Sequence, residues 1–286
     1  MDTNKKIGGG LRKDVKDRRD FKFGVVFQLP KLEELPKEFN LGDPLRIADQ
    51  GDSDLCTGFA SCAVSEDQEH IALSPEYVFA KTKELEGDYT TWGADLRMAC
   101  KAQQKFGTIE KKLAPFNLET HSRDFVANWL NWPTELSENA LSHRKVSYFL
   151  VTGPYDVFDN FRATLWANRE EKQSIITGCL WHYSWTGSPN GIIPKFSLDR
   201  GEFGHAFKIF GWKEIAGEPY LIAQLSNGTQ IGDKGIFFFP RNVVNKEFFN
   251  AYTFKDVDPV IIKLKYVSRW DLFVEWLKRY FNEIFS

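Results

Sequence analysis

The chain has 286 residues and a formal net charge of -2, with 42% hydrophobic and 27% charged residues. This composition is that of a globular protein, and the length suits one large domain or two lobes. Because the charge is nearly balanced, we expect no nucleic-acid partner. The 4 cysteines and 5 histidines are not spaced as metal ligands, so we expect free thiols, no metal and no cofactor.

Residues 1–24 form a polar arm, in which the triplet Gly8-Gly9-Gly10 precedes a charged run from Lys13 to Lys22. The first residues contain no apolar run like that of a secretory signal, and no stretch approaches the length of a transmembrane helix. We therefore expect a cytoplasmic protein or a component of a larger assembly.

The first half of the chain carries helical patterns. An apolar face begins at Cys56, a second helix begins at Pro75 with Ser74 as its N-cap, and a third runs from Ala94 to Gln104. Serine suits the N-cap position and proline the first helical position. These patterns predict a helical lobe over about residues 50–142.

The second half of the chain carries strand patterns, because β-branched and aromatic runs alternate with Gly, Pro and Asn. Strands are predicted over residues 146–151, 174–180, 206–210, 220–224 and 235–239, with a helix over 155–166. Helices followed by strands predict an α+β protein with two segregated lobes, the second covering about residues 143–262.

The tail over residues 263–286 has the strongest amphipathic pattern of the chain. Trp270, Phe273, Leu277, Tyr280 and Ile284 recur at spacings of three and four before Phe285, which predicts a helix. This helix either packs on its own lobe or makes an oligomer, partner or membrane-surface contact. Charges of both signs on its polar face weaken the membrane interpretation, which favours a basic face.

Cys56 is the candidate nucleophile. It lies at the expected start of a helix, where the positive end of the helix dipole favours a thiolate. Gln50, six residues earlier, provides a side-chain amide donor that can act with the backbone amide of Cys56 on an oxyanion. A lone cysteine is more often buried and inert, so a base is needed to support the assignment.

His205 is the candidate base, since it follows a glycine-rich loop and begins a strand. It lies 149 residues after Cys56, a separation found in proteases whose cysteine and histidine meet only in the fold. The alternative is a structural histidine in a loop. Of the other histidines, His182 is the fallback base.

Five blocks in order resemble the papain-like cysteine peptidases of the prokaryotic and viral type. Gln50-Gly51 with Cys56-Thr57, Ser74-Pro75-Glu76-Tyr77 and the stretch from Trp92 to Arg97 resemble the family's helical half. Gly204-His205-Ala206 with Phe210-Gly211-Trp212, and the stretch from Gly228 to Pro240, resemble its second half.

The resemblance implies a helical left lobe and a β-barrel-like right lobe with the active-site cleft between them. It implies a thiolate–imidazolium pair of Cys56 and His205 that hydrolyses peptide bonds in proteins or peptides. Trp92, Gly93 and Gly204 would line the substrate groove. Only about fifty residues precede Cys56, which is too few for the family's usual inhibitory prodomain.

Two departures from the family pattern affect the site. Leu225 stands where the family has an orienting asparagine, and Asn227, two residues later, takes over that role only if the loop shifts. Asp54 replaces a small residue near the nucleophile; it either raises the pKa of the thiol or lines the groove and favours a basic side chain. The alternative functions are a weakened papain-like fold that acts as a binding or structural component, and amidase or acyl-transferase chemistry on the same residues.

Overall fold

The computed structural model describes residues 8–15, 17–196 and 199–255. The tail helix predicted over residues 263–286 lies outside the described residues, so the prediction stays untested. Within the described ranges, no helix combines the length and the apolar character that crossing a membrane requires.

The helices include α1 (Phe23–Val26), α2 (Cys56–Glu69), α3 (Pro75–Glu86), α4 (Leu96–Lys105), α5 (Arg123–Ala127), α6 (Ser137–Ser142), α7 (Val157–Ala167), α8 (Tyr183–Thr186) and α9 (Arg241–Glu247). The strands include β1 (Leu11–Arg12), β2 (Phe39–Asn40), β3 (Ala94–Asp95), β4 (Ser147–Leu150), β5 (Ile175–Trp181), β6 (Phe203–Ile215), β7 (Glu218–Gln224), β8 (Ile236–Pro240) and β9 (Tyr252–Lys255). Short 3-10 turns lie at Leu32–Glu34, Lys111–Leu113, Trp129–Asn131, Thr134–Leu136 and Pro189–Gly191.

The helical lobe is built around α2, α3 and α4. The hydroxyl of Ser74 accepts a hydrogen bond from the Tyr77 backbone amide and caps α3, and the Asp95 carboxylate caps α4 in the same way through Met98. Such caps satisfy backbone donors that the first turn leaves unpaired. The helices begin where the sequence predicts, except that Ala94–Asp95 is a short strand before α4.

The second lobe is a largely antiparallel sheet with strand order β4-β9-β5-β6-β7-β8, to which β2 adds through β6. β6 is 13 residues long and extends well beyond the strand predicted over residues 206–210. Its register with β7 shifts between Ile209 and Gly211, and pairing continues beyond this irregularity. The structure adds β2, β9 and α9, which the sequence patterns did not predict. The prediction of an α+β fold is confirmed.

The two lobes meet along α2 and β6. One buried cluster contains Cys56, Ala60 and Val64 of α2 together with Ala206 of β6 and Leu11 of β1. The remaining sheet core is aromatic and includes Trp181, Trp185 and Trp212, all 1% exposed or less. The N-terminus of α2 therefore faces the strand that carries His205, with β1 between the lobes.

Candidate active site

Cys56 is the first residue of α2 and is fully buried. The backbone amides of Ala206, Thr57 and Leu11 lie close enough to hydrogen-bond its sulfur and to lower its pKa. Burial outweighs them, and with a smaller contribution from the Asp54 charge it raises the pKa of Cys56 to about 12. The thiol is therefore protonated at neutral pH in this state.

His205 lies on β6, opposite Cys179 of β5, and is also fully buried. Neither ring nitrogen makes a hydrogen bond of standard geometry, but the Gly8 backbone and the Asn227 side chain approach the ring and favour its protonation. Burial dominates and lowers the pKa of His205 to about 4. The imidazole is therefore neutral at neutral pH, as the Cys56 thiol is.

Gln50 lies six residues before Cys56 in the chain, and both ends of its side-chain amide are hydrogen-bonded. Its amide oxygen accepts from the Ser226 hydroxyl at 2.6 Å, and its amide nitrogen donates to the backbone oxygens of Ser53 at 2.8 Å and Gly8 at 3.2 Å. The sequence patterns did not single out Ser226, whose hydroxyl fixes the Gln50 amide. It lies between Leu225 and Asn227, the two positions considered for the family's orienting asparagine.

The loop around Asn227 is held by backbone pairing across the lobes. Gln50 donates to the Ser226 carbonyl at 2.8 Å, and Gly228 donates to the Ala48 carbonyl at 2.9 Å. Leu225 points into the aromatic sheet core and is 1% exposed, whereas the Asn227 side chain reaches His205. The geometry therefore brings Asn227, and not Leu225, to the imidazole.

Residues 8–12, the arm segment, lie in the cleft between the lobes. Gly8 donates to the Gly51 carbonyl at 3.2 Å, and the Gly10 carbonyl accepts from Ala94 at 2.9 Å. Beyond Gly10, β1 pairs with β3 in parallel. These residues belong to the stretch predicted to be a polar arm, because most of their contacts with the cleft come from backbone groups, which leave no pattern in the sequence.

The arm segment fits closely because glycines line both sides of the contact. Gly10 has a φ of +122°, and a Cβ there would collide with the backbone of Asp54. Across the cleft, a Cβ on Gly93 would collide with the Gly10 carbonyl, and one on Gly204 with the Leu11 carbonyl. Gly93 and Gly204, which the resemblance assigned to a substrate groove, thus contact an extended peptide segment.

Asp54 does not present its carboxylate to the groove. It is fully buried, accepts from Arg123 Nε at 2.9 Å and Nη2 at 2.8 Å, and also binds the Gly93 amide. The expectation that Asp54 selects a basic side chain is thus corrected, because Arg123 already neutralises it. Its backbone and Cβ still border the arm segment at Gly10.

Two other predicted residues, Trp92 and His182, have different surroundings. Trp92, beside Gly93, is 59% exposed. His182, the fallback base, stacks on Trp185 with ring centroids 4.2 Å apart and contacts Asp199 through Nδ1. Over the described ranges, no group of three or more His, Cys, Asp or Glu side chains is arranged to hold a metal ion.

A helix-borne cysteine that faces a strand-borne histidine across two lobes defines the papain-like fold, and comparison with solved structures agrees. The chain is similar to xylellain, a cysteine protease from Xylella fastidiosa, with a TM-score of 0.73 and 21% identity over 88% of this chain and 97% of that one. It is similar to procathepsin B S9 from Trypanosoma congolense, with a TM-score of 0.59 and 16% identity over 82% and 86% of the two chains.

A third similar structure is the bromelain protease from Ananas comosus in complex with the E64 inhibitor, with a TM-score of 0.56 and 16% identity over 77% of this chain and 99% of that one. No protein-family sequence model matches the chain, and neither does a curated protein sequence. At these identities the likeness establishes the fold. The papain-like resemblance found in the sequence is therefore confirmed at the level of the fold.

Proposed function

We propose that the protein is a cysteine peptidase whose nucleophile is Cys56 and whose general base is His205, and that the arm segment holds it in a closed state. The observation that carries this proposal is the arm segment itself. It is an extended peptide whose backbone pairs with β3 and whose Gly8 carbonyl meets the Gln50 amide. A groove that accepts one polypeptide backbone beside a thiol has the recognition chemistry of a peptidase.

In the open state, Cys56 attacks the carbonyl carbon of a bound peptide. Its thiol proton passes to His205, and the electron pair of the carbonyl moves to an oxyanion facing the Gln50 side-chain amide and the Cys56 backbone amide. The imidazolium then protonates the leaving amine as the C–N bond breaks. Water, deprotonated by His205, hydrolyses the thioester and restores the thiol.

Asn227 orients the imidazole in this mechanism, and Ser226 orients Gln50. Both residues lie in the loop that pairs with residues 48–50, so the base and the oxyanion donor share one support. A shared support keeps the distance between the base and the oxyanion donor constant. This matters because small displacements of reacting groups lower the rate of catalysis strongly.

The main alternative is a papain-like domain that binds peptides without cleaving them. The observation that favours it is the neutral, fully buried state of the pair, with the pKa of Cys56 raised to about 12 and that of His205 lowered to about 4. Amidase or acyl-transfer chemistry would use the same residues, and differs only in the group that accepts the acyl chain.

The test is to displace the arm segment in the full chain. Valine at Gly10 is strained at a φ of +122° and collides with Asp54, so Gly10→Val should open the cleft. Gly42 is the matched control, because it has a φ of +110° and open space around its Cβ position. Gly42→Val therefore imposes similar backbone strain without displacing the arm segment.

Labelling with an epoxide warhead and cleavage of a fluorogenic peptide library provide the readouts. We expect Gly10→Val to label at Cys56 and to cleave peptides faster than the wild type and Gly42→Val, and both signals to vanish with Cys56→Ala. Labelling without cleavage would support the binding alternative or another acyl acceptor. Equal labelling at Cys62, Cys100 or Cys179 would remove Cys56 as an activated nucleophile.

A further inference from the structure

The side chains of the arm segment show which surroundings the groove offers to the side chains of a bound strand. Leu11 and Arg12 pair in register with Ala94 and Asp95 of β3. Successive side chains of a strand point to opposite sides, and these two meet different surroundings. Leu11 is 6% exposed and packs among Cys56, Ala206 and other apolar residues, whereas the Arg12 guanidinium forms an ion pair with Glu86.

Glu86 is the last residue of α3, and its side chain is 11% exposed. One carboxylate oxygen accepts from Lys83 at 2.9 Å, and the other accepts from Arg12. Lys83 is fully buried and also donates to the Gly93 carbonyl. When the arm segment leaves, Glu86 therefore keeps one oxygen engaged and has one oxygen available at the edge of the groove.

Asp95 adds a second negative group on the same side. Its carboxylate accepts from the Met98 amide at the start of α4. Burial raises the pKa of Asp95, with Asp14 adding to the rise, and Arg12 is near enough to oppose it. Asp14 lies outside residues 8–12 and accepts from the Tyr252 hydroxyl at 2.7 Å. Glu86 is therefore the acceptor that loses its cation when the arm segment leaves, and Asp95 lies beside it.

We propose that Glu86, assisted by Asp95, forms a subsite that selects an arginine or lysine side chain on a peptide strand bound along β3. Arg12 fills this subsite in the closed state. The inference deepens the proposed function, because it identifies the substrates as peptides with a basic residue next to an apolar one. As an acceptor for a basic side chain, Glu86 replaces Asp54, whose carboxylate is engaged by Arg123.

The direction of the bound strand does not alter this selection. The edge is defined by the backbone of β3, where the Ala94 amide donates to the Gly10 carbonyl. A strand running either way along this edge alternates its side chains between the apolar pocket of Leu11 and the Glu86 side. Peptides with the order Leu-Arg and with the order Arg-Leu therefore both belong in the test.

The experiment measures the binding of fluorescein-labelled peptides to the full chain carrying Gly10→Val and Cys56→Ala, which opens the cleft and prevents cleavage. Peptides containing Leu-Arg and Arg-Leu are compared with matched Leu-Gln and Gln-Leu peptides. A partly buried charged hydrogen bond predicts about tenfold tighter binding of the better arginine peptide than of its glutamine match. Glu86→Gln should abolish this preference, so that the arginine and glutamine peptides bind this variant equally.

Glu84→Gln is the matched control, because Glu84 lies on the same helix and pairs with Lys81 instead. It should retain the preference for arginine. Equal affinities for arginine and glutamine peptides before any change at Glu86 would overturn the inference. So would a parallel loss for both peptides in Glu86→Gln, which would assign Glu86 a structural role only.

The failure of this inference and the failure of the proposed function give different results. If the protein does not cleave peptides, the arginine preference in binding persists while a cleavage library gives no products. If the subsite is wrong, products form in Gly10→Val without enrichment of a basic residue. The binding measurement therefore tests the subsite whether or not catalysis occurs.

Discussion

The Gly8 carbonyl oxygen accepts a hydrogen bond from the Gln50 side-chain amide, 3.2 Å away. A neutral peptide carbonyl thus uses the donor that a tetrahedral oxyanion would need. The same segment brings the Leu11 amide to the thiol and the Gly8 backbone to His205. Under the proposed function, chemistry at Cys56 requires residues 8–12 to leave the cleft.

Closure of the arm segment should depend on pH through His205. We expect closure to supply much of the burial that lowers the pKa of His205 from 6.5 to about 4, while the Gly8 backbone, which arrives with the arm segment, opposes that shift. Because the open state then binds the proton more tightly, closure is strongest above about pH 6.5 and weakens as the pH falls toward about 4. The Cys56 thiol affects closure at alkaline pH. Because its pKa is raised in the closed state, closure weakens as the pH rises from 9.0 to about 12.

Hydrogen exchange measures this dependence directly. The protection factors of residues 8–12, each relative to the unstructured rate at the same pH, should fall about tenfold for each pH unit of full linkage between pH 6.5 and 4. Protection of α3 in the same spectra reports global stability. His205→Asn should remove the fall in protection between pH 6.5 and 4. An unchanged fall in that variant would exclude His205 as its cause.

The oxyanion donor should depend on Ser226. In the open Gly10→Val chain, Gln50→Ala should lower kcat by about 100- to 1000-fold, because one preorganised donor is lost. Ser226→Ala should lower kcat by roughly tenfold with little change in KM, since Gln50 stays but loses the 2.6 Å bond that orients it. Ser226→Thr retains the hydroxyl and should recover most of the rate; no recovery would show that the hydroxyl is not responsible.

Much of the fold is readable from local sequence signals. Ser74-Pro75 fixes the start of α3 because a capping hydroxyl and a proline suit these positions. The aromatic and β-branched runs identify β5, β7 and β8. β9 was missed because its aromatic and β-branched run, Tyr252-Thr253-Phe254, is only three residues long, and the strand is completed by pairing with β4 and β5.

The site was predictable only in part. Cys56, His205 and Gln50 stand in recognisable surroundings, so their proximity could be expected. The position of residues 8–12 in the cleft could not be predicted, because a glycine triplet before a charged run has the composition of a solvated linker. The choice of Asn227 over Leu225 depends on the pairing of residues 226–228 with residues 48–50, which is set by tertiary contacts.

Asn227 should be the residue that orients the base. In the open chain, Asn227→Ala should lower kcat by about 10- to 100-fold by releasing the imidazole, as expected when a general base loses its alignment. Leu225→Asn is the counterpart that tests the position used by the family. Since Leu225 is buried in the sheet core, this change should cost about 1–3 kcal/mol of stability and should not rescue Asn227→Ala. Rescue would show that residue 225 can reach His205.

Asp54 and Arg123 should be strongly coupled in stability. Their two bonds of 2.9 and 2.8 Å join the loop before α2 to α5, and Arg123 also donates to the backbone oxygens of Thr91 at 2.7 Å and of Tyr89. Asp54→Leu leaves the guanidinium without its carboxylate and should lower the free energy of unfolding by about 3–5 kcal/mol.

The double variant Asp54→Leu with Arg123→Met removes both charges, so it should lose less than the sum of the two single changes. Urea unfolding of the four proteins gives the coupling energy, which we expect to exceed about 1 kcal/mol for groups in one buried network. Lys81→Met with Glu84→Leu is the control pair, because these side chains are partly exposed on α3 and should couple by less than about 1 kcal/mol. Additive losses at Asp54 and Arg123 would show that each contributes through packing alone.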